Sequence, residues 1–233
     1  MKHNFFVLIL ILTITSCQQN FYKQTKNEYG LIVLNTVQQY QYTIKKDSSK
    51  QLINLQNYIP HIQFNWYYAT KNNFTKEVLY QQPTAYLRKE AAEKLHKAAI
   101  AFKQMGLGIK VFDAYRPYTI TKKMWQIVPD ERYAANPAKG SGHNRGIAID
   151  LTLYNLTTGE ELAMPTAFDN FTEKAHVNYQ QLDKNDLANR DLLINTMQQF
   201  GFIVLPTEWW HFYLPNAEQY EILDIDFKSL DEN

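Results

Sequence analysis

The sequence predicts a single α+β domain with a small, mostly antiparallel sheet and flanking helices. Three observations carry this. Two long stretches repeat apolar residues at steps of three and four, several short stretches alternate with period two, and long polar loops separate them. A chain of 233 residues suits one such domain and can bury a sizeable core.

Taken in order, the first long helix is expected over residues 85–105. Ala91, Leu95, Ala98, Phe102 and Met105 share one face there, Gly106 stops it, and Thr84 after Pro83 offers a cap region. Residues 107–113 then read as a strand. A short helix follows over 119–127, closed off by Pro129. Residues 146–153 form a second strand, with Gly146, Ala148 and Asp150 on one face and Ile147, Ile149 and Leu151 on the other. The apolar face can enter the core while the small residues and one carboxylate line a cleft. A second long helix is expected over 186–200, with Leu193, Met197 and Phe200 as its buried stripe and Gly201 just past its end. The chain then extends through 202–205, turns at Pro206 and resumes through Glu208-Trp209-Trp210-His211.

The amino-terminal end has a different composition. Lys2 and His3 precede the apolar run from Phe5 to Leu12, which is too short to span a bilayer and reads as the core of a signal peptide. Ile14-Thr15-Ser16-Cys17 resembles a bacterial lipobox, and Cys17 is the only cysteine, so an internal disulfide is excluded. Residues 1–17 are therefore expected to be a lipoprotein signal. Lipidated Cys17 would then anchor the chain to a bacterial membrane, facing the periplasm or the exterior. Residues 18–52, rich in Gln, Asn, Lys, Thr, Ser and Tyr, read as a tether or amino-terminal extension, with 53–233 as the main folded domain. Without Lys2 the 24 basic residues fall to 23, equal to the 23 acidic ones, so acyl chains and not a basic surface would hold the membrane. The same balance gives no reason to expect a nucleic-acid partner, and no protein partner is indicated.

Two motifs carry chemistry. Ser141-Gly142-His143-Asn144-Arg145-Gly146-Ile147-Ala148-Ile149-Asp150 and Glu208-Trp209-Trp210-His211 together offer two imidazoles and a carboxylate as metal ligands, with a second carboxylate left over. A catalytic zinc needs three protein ligands, an open position and a nearby base. In a regular strand Glu208 and His211 would point to opposite faces. Either the segment turns near Trp209-Trp210, or Glu208 approaches from the side, which suits a base better than a ligand. Arg116, in Asp113-Ala114-Tyr115-Arg116-Pro117, could stabilise an oxyanion or simply pair with Asp113. His61 and His96 read as surface or hydrogen-bonded residues, and His176 as a candidate supporting group near Asp169.

The whole set resembles one family. Ser-x-His-x-x-Gly-x-Ala-x-Asp with Glu-x-x-His looks like the zinc D-alanyl-D-alanine dipeptidases of the VanX type. The similarity runs from about Asn65 to Leu214 through Tyr68-Ala69-Thr70, Asn72-Asn73-Phe74-Thr75, Ala85-Tyr86-Leu87-Arg88, Asp113-Ala114-Tyr115-Arg116-Pro117, Asp150-Leu151-Thr152-Leu153 and Phe168-Asp169. The resemblance implies the fold shared by D,D-carboxypeptidases and the Hedgehog signalling domain. It implies one Zn2+ per chain held by His143, Asp150 and His211, with Glu208 as general base and then acid. Arg116 would stabilise the tetrahedral intermediate, and Ser141 and Asp169 would grip the two ends of a small D,D-dipeptide. The expected activity is hydrolysis of D-alanyl-D-alanine in cell-wall peptide salvage or turnover. A D,D-carboxypeptidase or peptidoglycan endopeptidase on the same scaffold is the alternative. A non-catalytic metal-binding lipoprotein is argued against by the presence of both Glu208 and Arg116. The sequence departs from the family in Met164-Pro165-Thr166-Ala167, which replaces the usual Gly and Pro before the Phe-Asp pair, and in its lipoprotein signal.

Overall fold

A computed structural model describes residues 25–232. The expected signal peptide, the expected lipidation site Cys17 and residues 18–24 lie outside them. The central sheet is built from β3 (Gln63–Phe64), β5 (Leu107–Asp113), β6 (Ala148–Asn155), β7 (Ile203–Val204) and β8 (His211–Tyr213), in the order β3-β5-β6-β8-β7. β3 pairs parallel with β5, and every other pairing in this sheet is antiparallel, as the sequence predicts. Ile149, Leu151 and Leu153 of β6 are fully buried, which puts the core behind the sheet's middle strand. Gly146 is not on that strand: it closes the preceding turn at φ 69°, a conformation that favours glycine.

Two long helices support the sheet. α3 (Lys89–Gln104) buries Ala91, Leu95, Ala98 and Phe102 and packs on β5. It ends at Gly106, which takes φ 77° as a residue past a helix terminus does. α5 (Lys184–Gln199) is capped by Asp183, which accepts from the Asn185 amide, and ends before Gly201 at φ 87°. α4 (Tyr118–Ile127) covers the expected short helix.

A further expectation is corrected. Residues 86–88 are not helical: Tyr86–Arg88 form β4, paired antiparallel with β2 (Leu52–Asn54), because that partner satisfies their backbone from 34 residues upstream. Thr84 caps nothing and donates to Asp231 instead. Of the two readings of residues 18–52, tether or extension, the described part has the form of an extension folded onto the domain. β1 (Val33–Leu34) pairs parallel with β9 (Ile222–Leu223), and α1 (Val37–Lys46) is capped by Thr36. Leu34 is fully buried, Tyr40 nearly so, and the Tyr40 hydroxyl accepts from the Leu52 amide. A few apolar anchors outweigh the polar composition of the rest. The remaining elements, α2 (Leu55–Tyr58) and α6 (Phe227–Asp231), close the surface around β2 and the carboxyl terminus.

Candidate metal centre and catalytic cleft

Register places the site. Across β5, β6 and β8, Asp113 lies opposite Asp150, and Asp150 lies opposite His211. Residues opposite one another in an antiparallel pair project to the same side, so three functional side chains form one row. A bulge between Val111 and Asp113 shifts the register at the end of β5, the kind of irregularity that re-aims a side chain. The segment after β7 turns at Trp209-Trp210, with the His211 amide donating to the Glu208 carbonyl. That turn brings Glu208 and His211 to one side of the sheet, the first of the two geometries the sequence left open. Both tryptophans are buried, and Trp209 Nε1 donates to Thr166 Oγ1, which pins the turn from outside.

His143 arrives from a tight loop. Ser141 Oγ accepts from the Asn144 amide while Asn144 Oδ1 accepts from the Ser141 amide, and Asn144 Nδ2 donates to the Arg116 carbonyl and Thr121 Oγ1. His143 Nδ1 sits 2.6 Å from the Ala114 carbonyl oxygen. A carbonyl can only accept, so Nδ1 carries the proton and Nε2 presents a lone pair. That lone pair lies 3.2 Å from His211 Nδ1 and 3.4 Å from Asp150 Oδ2, and His211 Nδ1 lies 2.8 Å from Asp150 Oδ1. Such a convergence of electron pairs requires a proton or a cation among them. A tetrahedral centre with metal–nitrogen distances near 2.0–2.1 Å keeps its ligand atoms roughly 3.3 Å apart. His143, Asp150 and His211 therefore fit one metal ion, and these three are the group among the described residues whose ligand atoms converge in this way. The Ala114 carbonyl fixes the tautomer and orientation of His143, as partners behind metal ligands do.

Electrostatics divide the two carboxylates. Burial pushes Asp150 up, but the flanking His143 and His211 outweigh it and hold its carboxyl well below the ordinary range. Glu208, 3.9 Å from His211 Nδ1, is raised to about 7 by burial, with Asp150 adding to the shift and His211 and Arg116 opposing it. A group poised there can both take and return a proton near neutrality.

Arg116 pairs with Asp113 and also faces the cleft. Its Nε and Nη2 donate to Asp113 Oδ2 at 2.9 and 2.6 Å, while the side chain lines the cleft. Burial disfavours its charge, but Asp113 keeps the guanidinium protonated. Asp113 engages only the Nε–Nη2 edge, and its Oδ1 accepts from the Tyr80 hydroxyl at 2.8 Å.

The cleft around these groups has a volume of about 240 Å³ and is also lined by Ser141 and Asp169. Asp169 takes φ 58°, and its Oδ1 accepts from the Tyr68 hydroxyl at 3.1 Å. Its Oδ2 is buried without a hydrogen-bond partner. Burial, then Asp150 and Glu208, push this carboxyl well above the usual range. Tyr68, whose hydroxyl meets Asp169 in the cleft wall, is not among the candidate residues that the sequence motifs single out. Its one signal was its place in the Tyr68-Ala69-Thr70 match. Three further histidines among the described residues lie elsewhere. His61 is exposed, His96 packs edge-on against Tyr58, and His176 lines a separate depression with Tyr179.

Fold and site together define a metallopeptidase-like cleft: three metal ligands, a buried carboxylate and a guanidinium around a small cavity. Residues 48–229 match the peptidase M15 family described as D-ala-D-ala dipeptidase, and the chain belongs to that family. Among its curated relatives, the D-alanyl-D-alanine dipeptidase of Escherichia coli K12 is 36% identical over 177 residues, covering 76% of this chain and 91% of that one. The D-alanyl-D-alanine dipeptidase of Enterococcus faecium is 34% identical over 167 residues, covering 63% and 83%. A solved structure described as VanYB in complex with D-Alanine-D-Alanine matches with a TM-score of 0.39 at 16% identity, over 74% of this chain and 90% of that one.

Proposed function

We propose that the chain hydrolyses D-alanyl-D-alanine with one zinc ion held by His143, Asp150 and His211. The observation that carries this is the convergence of those three donors beside Glu208, inside a cavity sized for a small peptide. Zinc held by these residues would act as a Lewis acid and would lower the pKa of a water there to about 7. Glu208 then accepts the water's proton, orients the attack on the scissile carbonyl, and returns the proton to the departing amine. Negative charge builds on the carbonyl oxygen, where the Arg116 guanidinium, held by Asp113, meets it without reorganising. Asp169 binds the substrate's ammonium through Oδ2, with Tyr68 fixing the carboxylate from behind. Ser141 holds the other end of the dipeptide.

The setting is part of the same reading. The apolar run Phe5 to Leu12 followed by Cys17 supports a lipidated amino terminus, so residues 18–233 act at a membrane facing the periplasm or exterior, where dipeptide released from the wall is the available substrate. Recovery of the cell's protein as soluble cytoplasmic material would remove this part and leave the chemistry standing.

The deciding experiment is hydrolysis of D-alanyl-D-alanine by residues 18–233, with and without a chelator. Activity should vanish on chelation and return with zinc. Glu208→Ala should lower turnover by about 10²–10⁴-fold, the range of a positioned acid–base group. Turnover that survives both treatments would overturn the assignment.

A further inference from the structure

Beside the catalytic cleft lies a second cavity of about 280 Å³, lined among others by Tyr67, Phe168, Asn72 and Lys76. Two residues, Phe74 and Asp169, line both spaces. We propose that Phe74 is the partition that limits the substrate to a free dipeptide, and that the second cavity is a closed-off subsite for an acyl group or residue joined to the dipeptide's amino nitrogen.

The inference rests on the reading that Asp169 receives the substrate's amino end. A group added to that nitrogen must then pass the wall that Asp169 and Phe74 share. The Phe74 ring stands edge-on to Phe171 at 5.6 Å and to Tyr68 at 6.2 Å, so neighbours on two sides hold it in place. Its loop is equally constrained. Buried Asn73 donates through Nδ2 to the carbonyls of Tyr67, Thr70 and Glu77, and its Oδ1 accepts from the amide and hydroxyl of Thr75. A side chain anchored at both ring and backbone excludes by volume, because close-packed surroundings do not flex to admit three extra atoms.

The test compares D-alanyl-D-alanine with N-acetyl-D-alanyl-D-alanine on the zinc-loaded protein, for wild type, Phe74→Ala and Phe74→Leu. Wild type should favour the free dipeptide. Phe74→Ala should narrow that preference in kcat/KM by about 10–200-fold, the discrimination available to a hydrophobic wall. Phe74→Leu, which keeps more of the packing, should shift it less and in the same direction. Asn73→Ala, which frees the loop but leaves the ring, should also narrow the preference. Calorimetric titration of both peptides into the Glu208→Ala form, with and without Phe74→Ala, reads exclusion as binding alone. If wild type hydrolyses neither peptide, the dipeptidase reading falls while the titrations still decide the partition. Equal handling of both peptides by wild type, or an unchanged preference in folded Phe74 variants, would overturn the proposal.

Discussion

Asp169 combines a left-handed backbone, a buried oxygen without a hydrogen-bond partner and a carboxyl that resists ionising. Strain and unmet polarity of this kind persist where a ligand later satisfies them. The sign of the pH effect follows. A carboxyl whose folded pKa lies above its unfolded value binds more protons when folded, so stability declines as pH rises through that window. In the metal-free protein, Asp169→Asn removes this penalty and keeps the acceptor for Tyr68. Its melting temperature should exceed wild type by a few degrees at pH 8, and the gap should close near pH 4. KM for the dipeptide should rise, because the ammonium loses its counter-charge. A melting temperature unchanged at pH 8 would show that Asp169 is not a buried charge. The three candidate metal ligands are legible in the sequence as residue types at a suggestive spacing. The Tyr68–Asp169 pair is not, since 101 residues separate partners that carry no shared pattern.

At the scale of elements, the amphipathic helices and the glycines that end them were readable because a helix makes its own hydrogen bonds locally. The short strands were not, because each depends on a remote partner. β4 shows this best: its sequence continues the helical pattern of α3, yet β2 claims it. Its last residue, Arg88, is fully buried and donates from Nε to the Arg145 carbonyl, from Nη1 to the Lys50 carbonyl and from Nη2 to the Glu221 carbonyl. One guanidinium thus ties the catalytic loop, the approach to β2 and the entry to β9. A fork of fixed donors can do this where an ammonium cannot. Arg88→Ala strands three carbonyl acceptors and should cost about 3 kcal/mol or more, since each buried acceptor left without a partner costs about 1–3 kcal/mol. Urea denaturation with an unchanged slope would read this directly. A loss under about 1 kcal/mol would mean that water replaces those bonds.

For the whole molecule, the main surprise is how far the fold reaches toward the amino terminus. The family match begins at residue 48, yet structure extends earlier. Leu34 is fully buried opposite Leu223 of β9, the Asp224 amide donates to its carbonyl, and the Leu223 amide donates to the Asn144 carbonyl in the loop that carries His143. Asn27 donates to the Tyr118 hydroxyl, which donates to the Pro137 carbonyl in the approach to the same loop. Polar composition hid this, because a strap needs few apolar anchors when its outer face meets water. The strap and the metal ligands are therefore parts of one packed unit, and loosening the first should reach the second. Leu34→Ala opens a cavity and should destabilise the protein by about 2–5 kcal/mol. It should also weaken zinc retention in a competing chelator, whereas an equal truncation at Ile100, which is half exposed, should do neither. If Leu34→Ala loses stability but holds zinc as wild type does, the strap supports the fold without steadying the loop. Loss of both would make the amino-terminal segment a working part of the catalytic domain and not a tether to it.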